Sequence, residues 1–99
     1  MLSKKFFKTK DEAEVTFEFG RDDVKTVELF GEFTDWQPVA MKYNAKAKVF
    51  RAKVRLPKGK DFSFRYLLDG SEWENDYAAD AYIANEFGTE DSVVTTAQH

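Results

Sequence analysis

Hydrophobic residues recur every second position along almost the whole chain, and that period admits little besides β-structure. In Phe50-Arg51-Ala52-Lys53-Val54-Arg55-Leu56, four apolar residues alternate with three cations. Only an extended backbone places residues i, i+2 and i+4 on one face. Val15, Phe17 and Phe19 alternate in the same way with Thr16 and Glu18. Lys25–Phe30 sets Val27 and Leu29 against Thr26 and Glu28, and 62–68 sets Phe62, Phe64, Tyr66 and Leu68 against Ser63, Arg65 and Leu67. A short closing strand is predicted over Ser92–Thr96, carrying Val93 and Val94. Turn chemistry separates these runs: Gly20-Arg21-Asp22-Asp23, Pro57-Lys58-Gly59-Lys60, Asp69-Gly70 and Phe87-Gly88-Thr89. Asp69-Gly70 is the strongest signal for a two-residue hairpin. The acidic stretch from Glu72 to Asp80 reads as irregular. No window of ten residues carries a helical stripe, and Ala78–Glu86 allows one turn at most. Short strands at near-regular spacing predict an all-β antiparallel sandwich.

With 99 residues the chain makes one domain, and ten Phe, four Tyr and two Trp give that domain large rings with which to fill a small core. Cysteine is absent, which excludes disulfides and thiolate metal sites and fits a reducing compartment. No apolar run approaches the ~18 residues of a membrane span, and the opening segment carries no signal-peptide core. The formal charge of −3, with acids and bases interspersed, gives no basic stripe for nucleic acid. The expectation is a single cytoplasmic domain, with 13–96 as the sandwich and 1–12 and 97–99 as flexible tails. Exposed strand edges allow a monomer or a weak dimer.

Catalytic chemistry is poorly supplied. The single histidine is His99, the last residue, where no neighbour can orient it. Without Cys or a usable His, imidazole-activated nucleophiles are excluded. Paired carboxylates could hydrolyse a glycoside, but a chain this short cannot build both a core and a cleft around a distorted sugar. Glu72, Glu74, Asp76 and Asp80 lack the spacing of a calcium loop and read as solvated acids. No metal, no cofactor and no enzymatic activity are expected.

A binding platform is better supported. Val27-Glu28-Leu29-Phe30-Gly31-Glu32-Phe33-Thr34-Asp35-Trp36 is a short strand running into a polar turn that presents an indole. Trp73 follows the Asp69-Gly70 turn, and Arg65 lies opposite the core-facing Phe64 and Tyr66. Each indole is either a lid on one end of the sandwich or a platform for a ligand outside it. Arg65 is either an ordinary solvated strand residue or a fork of five donors aimed at a ligand. Two indoles and a guanidinium together suit a ligand with apolar faces and hydroxyl edges, as glucose rings have.

The run 27–36, then Leu56-Pro57-Lys58-Gly59, then Phe64-Arg65-Tyr66-Leu67-Leu68-Asp69-Gly70 with Trp73, then Asn85-Glu86-Phe87-Gly88-Thr89, resembles family-48 carbohydrate-binding modules in order and spacing. That family includes the glycogen-binding domain of the AMP-activated kinase β subunit and the early-set domains that precede isoamylases and branching enzymes. The similarity covers 14–95 and is closest to free-standing bacterial early-set proteins, which share the Lys4–Lys10 opening and the Trp73-Glu74-Asn75-Asp76 run. It implies an immunoglobulin-like β-sandwich that binds α-1,4-linked glucans without catalysis. It also implies sugar contacts for Trp36, Trp73, Arg65, Phe87, Thr89 and Asp91. Arg65 stands where the family usually has Lys, and Asp91 where the kinase domain has Asn, an exchange that removes the amide donors. The implied partners are an α-glucan and a glycogen-metabolising enzyme. The alternative is an early-set domain that has lost its sugar site and binds protein, a role favoured by Asp91 and by an exposed Leu67.

Overall fold

A computed structural model describes residues 1–97. It is a sandwich of two antiparallel sheets, with no α-helix among the described residues. Strands β1 (Leu2–Phe6), β2 (Glu12–Phe19), β3 (Val27–Gly31), β4 (Val39–Ala40), β5 (Lys42–Asn44) and β6 (Val49–Pro57) follow one another, with one 3-10 turn at Glu32–Thr34. They are followed by β7 (Asp61–Leu68), β8 (Glu72–Glu74), β9 (Ala81–Ala84) and β10 (Glu90–Thr95). One sheet runs β1-β2-β6-β5 and the other β4-β3-β7-β10-β9, with β8 paired to the C-terminal half of β7. The chain changes sheets between β4 and β5 at Met41, which is buried where it crosses.

Alternation on the strands builds the core directly. Ala13, Val15, Phe17 and Phe19 of β2 lie across from Leu56, Val54, Ala52 and Phe50 of β6, so one inward row of each strand meets the other. Phe64, Tyr66 and Leu68 of β7 face them from the second sheet and are fully or almost fully buried. Rings interlock across the gap: Phe17 meets Phe64 edge-on at 5.1 Å, and Phe19 meets Tyr66 at 5.0 Å. Such offset and edge contacts suit the ring quadrupole. Outward-facing Glu18 and Arg51 pair across β2 and β6 at 2.5 Å.

Besides β4 and β5, short strands in a stretch where none is predicted, three elements differ from the sequence reading. The first is β1, which lies within the tail predicted over 1–12. Leu2–Phe6 instead pairs along β2, with Leu2 packed on the core. Lys4 lies beside Val15 and so on the core-facing side, where its ammonium reaches Asp80 at 2.6 Å. A cation at an inward position breaks the alternation that would have marked the strand. The second is Ala81–Ala84, allowed one helical turn by the reading, which is an exposed edge strand on β10. The third is the acidic run, whose first residues Glu72–Glu74 form β8. Residues 98 and 99, including His99, lie outside the described residues.

The Asp69-Gly70 turn also closes differently. Leu68 pairs with Glu72, so three residues rather than two form the loop. Asp69 and Gly70 both have positive φ, 52° and 71°, which glycine and aspartate tolerate best. The Asp69 carboxylate is committed elsewhere, accepting from the Lys25 N–H at 2.7 Å and the Thr26 N–H at 2.9 Å. Those bonds, first that from Thr26 and then that from Lys25, hold its carboxyl below the usual carboxylate range. A depressed folded pKa adds stability above the unfolded value near ~3.9, and that contribution is lost as pH falls through the folded value. We therefore expect Asp69→Asn to lower the thermal midpoint at neutral pH and to flatten its fall between about pH 4 and pH 2. Parallel melting curves of parent and variant across that window would show the bonds to be immaterial.

Candidate functional site

Gly31 ends β3 because the chain must turn tightly there. A Cβ on Gly31 would lie 2.6 Å from the Phe33 ring, which folds back to stack on Phe17 at 5.4 Å. The Thr34 hydroxyl donates to the Gly31 carbonyl at 3.0 Å, and the Trp36 N–H donates to that same carbonyl at 2.9 Å. Closing this knot puts Asp35 and Trp36 at φ 54° and 59°. Aspartate accepts that left-handed region, whereas a bulky aromatic held there is a genuine outlier. Strain of this kind costs of order 1–3 kcal/mol and persists only where the surroundings enforce it. The result is an indole aimed away from the core and 41% exposed.

Trp73 reaches the same side by a different route. It sits on β8, paired with Leu67 of β7, and its ring meets the Phe30 ring edge-on at 4.9 Å. It remains 46% exposed. The Arg65 guanidinium carbon lies 5.5 Å from the Trp73 ring centroid, within cation–π range. Arg65 pairs with Phe30 of β3, and Asp91 falls beside Arg65 because Ser92 is opposite Phe64. The Arg65 Nε is 3.7 Å from the Asp91 carboxylate, too long for a hydrogen bond, and this buried N–H has no partner. Both side chains are largely covered, with 22% and 16% of their area exposed.

The fourth wall is the loop between β9 and β10. Asn85 organises it: its Oδ1 accepts from the Phe87 N–H at 3.0 Å and the Thr89 N–H at 3.2 Å. Its amide donates to Thr89 Oγ1 at 2.8 Å and to the Asp91 carboxylate at 3.1 Å. Bound in this way, the loop holds the Phe87 ring out in solvent at 81% exposure. A cavity of about 460 Å³ is thereby lined by Trp36, Arg65, Trp73, Asn85, Glu86, Phe87 and Asp91.

Five of the six residues named from the sequence meet on this cavity: Trp36, Arg65, Trp73, Phe87 and Asp91. Thr89 does not line it, and its hydroxyl is engaged by Asn85 instead. Asn85 and Glu86 belong to the wall without having been singled out. The Asn two residues before a Phe-Gly turn was their sequence signal, since asparagine caps such loops through its own side chain. Leu67, expected to be exposed, is half-buried beside Trp73. The acidic run disperses: Glu72 binds Arg21 at 2.8 Å, Asp76 accepts from Tyr66 at 2.7 Å, and Asp80 takes Lys4. Among the described residues, no three His, Cys, Asp or Glu side chains converge as metal ligands. No helix among them is long and apolar enough to cross a membrane.

Chemically, the cavity's lining combines three aromatic side chains, Trp36, Trp73 and Phe87, with a guanidinium beside a carboxylate. Donor and acceptor side by side can bind adjacent hydroxyls, while the rings cover the apolar faces between them. No family model matches the chain, and no curated protein matches it.

Proposed function

We propose that this domain binds α-1,4-linked glucans of the glycogen and starch type without transforming them, in the manner of a family-48 module with an immunoglobulin-like early-set sandwich. One observation carries the reading: Trp36 and Trp73, 37 positions apart in the sequence, present exposed indoles to a single cavity that also holds Arg65 and Asp91. Sugars stack their C–H faces on such rings and exchange hydrogen bonds with the charged pair. The reading places the domain in the cytoplasm, with a glycogen-metabolising enzyme as the partner that gives binding its consequence.

Covering half of an indole removes about 100 Å² from water, worth roughly 2–3 kcal/mol per ring. Association and ordering offset much of that sum. Dissociation constants on the order of 10 μM to 1 mM are expected for a linear maltooligosaccharide. Titration with maltoheptaose, followed by Trp fluorescence, tests this because both reporters lie at the site. Saturation in that range supports the reading, and a flat response at millimolar sugar would falsify it. The protein-binding alternative has lost the exposed Leu67 that favoured it. Retention of a partner from lysate after amylase treatment, with no response to sugar, would restore it.

A further inference from the structure

Among the described residues the cavity's one cation faces a carboxylate, and that bears on which glucans it accepts. Among its lining side chains Arg65 is the one positive group, facing the Asp91 carboxylate at 3.7 Å, and Glu86 adds a second carboxylate. At neutral pH one cation thus stands against two anions. The Asn85 amide, which could have donated to an anion, is committed to Thr89 and Asp91. The lining donors that remain are the guanidinium and the indole N–H groups, while carboxylate oxygens remain as acceptors. A ligand that both donates and accepts satisfies such a set. A ligand that only accepts, and carries negative charge, does not.

We infer that the site selects uncharged glucan and rejects glucan bearing phosphate monoesters, with Asp91 and Glu86 as the discriminating residues. The inference rests on the glucan-binding reading above and adds the charge class of the ligand. A phosphate monoester brings about −1.5 to −2 charges at pH 7. Entering a partly covered cavity of net negative charge, it would meet repulsion from Glu86 and from the Asp91 carboxylate 3.7 Å from Arg65. Specificity built from such a repulsive element leaves the correct ligand untouched and penalises the wrong one. An amide at position 91 would remove the negative charge beside Arg65 and leave its guanidinium as an uncompensated phosphate-binding fork.

The test compares maltoheptaose with maltoheptaose carrying one 6-phosphate, titrated at low and high salt. At ~10 mM ionic strength, where charges interact over ~30 Å, the phosphorylated sugar is expected to bind at least ~5-fold more weakly. At ~1 M salt, with a screening length near ~3 Å, the gap should shrink to about twofold. In Asp91→Asn and in Glu86→Gln the low-salt ratio should move toward or past unity in favour of the phosphorylated sugar. Glu86 is exposed, so its variant guards against a folding defect at Asp91. If the parent protein binds both sugars equally, or prefers the phosphorylated one, the inference is overturned while glucan binding stands. If neither sugar binds, both readings are overturned together.

Discussion

Replacing Trp36 by Gly is expected to weaken maltoheptaose binding at least tenfold while leaving the thermal midpoint unchanged or slightly raised. The indole contributes roughly 2–3 kcal/mol of covered area to a bound sugar, and 1.4 kcal/mol is already a factor of ten. Its contribution to the fold is small, because the ring is exposed and the backbone bond from Trp36 N–H to Gly31 does not need the side chain. Glycine also relieves the left-handed strain at φ 59°, which a bulky residue bears at a cost of order 1 kcal/mol. Trp36→Ala should lose the same binding without that relief. Trp73→Ala differs in an informative way, since its ring also meets Phe30 at 4.9 Å. Binding should fall as far, with about 1–2 kcal/mol of stability lost as well. If Trp36→Gly unfolds the protein, the indole belongs to the core and the binding surface proposed here does not exist.

Tyr66→Phe should cost about 1.5–3 kcal/mol, the usual worth of a hydrogen bond to a charged group, and lower the midpoint by roughly 10–20 °C. Asp76 is fully buried, and its carboxylate accepts from the Tyr66 hydroxyl at 2.7 Å, the Ala78 N–H at 2.8 Å and the Met1 ammonium at 2.5 Å. Deleting the hydroxyl leaves a buried carboxylate one donor short, and the full desolvation penalty of that lone pair appears. Burial first, then the charge of Asp76, drives the Tyr66 phenol far above the usual tyrosine range. It therefore stays protonated in the fold wherever the unfolded chain would ionise it. A raised folded pKa gives stability that is complete below the unfolded value near ~10 and declines as pH rises beyond it. Parent protein should lose stability above about pH 10 more steeply than Tyr66→Phe. Denaturant midpoints at pH 8 and pH 11 check both parts, and a variant as stable as the parent at pH 8 would remove the buried bond from the account.

Much of this was legible in the chain. β2 and most of β3, β6 and β7 carry a two-residue alternation, which specifies both the strand and its inward face, while β10 is marked by its adjacent valines alone. The turn chemistry that bounds them fixed their ends to within a few residues. Reading failed where the alternation fails: Lys4 is a cation on a core-facing position, Ala81–Ala84 is exposed along its whole length, and β8 is three residues long. Such segments take their structure from the strand beside them.

For the site, the residue types could be read in the sequence, but not their meeting. Periodicity alone put Arg65 outside the core and left each indole as either lid or platform. That choice depended on the register of β3, β8 and β10 against β7 and on a backbone knot at Gly31. Thr89 shows the limit in the other direction: a hydroxyl of the right type in the right loop is held by Asn85 and never reaches the cavity. The sequence by itself determined a two-layer β-sandwich with an aromatic core, because a two-residue period can bury one face of each strand and nothing else. Which outward residues gather was decided only by the tertiary structure. Strand register and loop closure are set by long-range contacts, and no local stretch of sequence encodes a distance across the sheet.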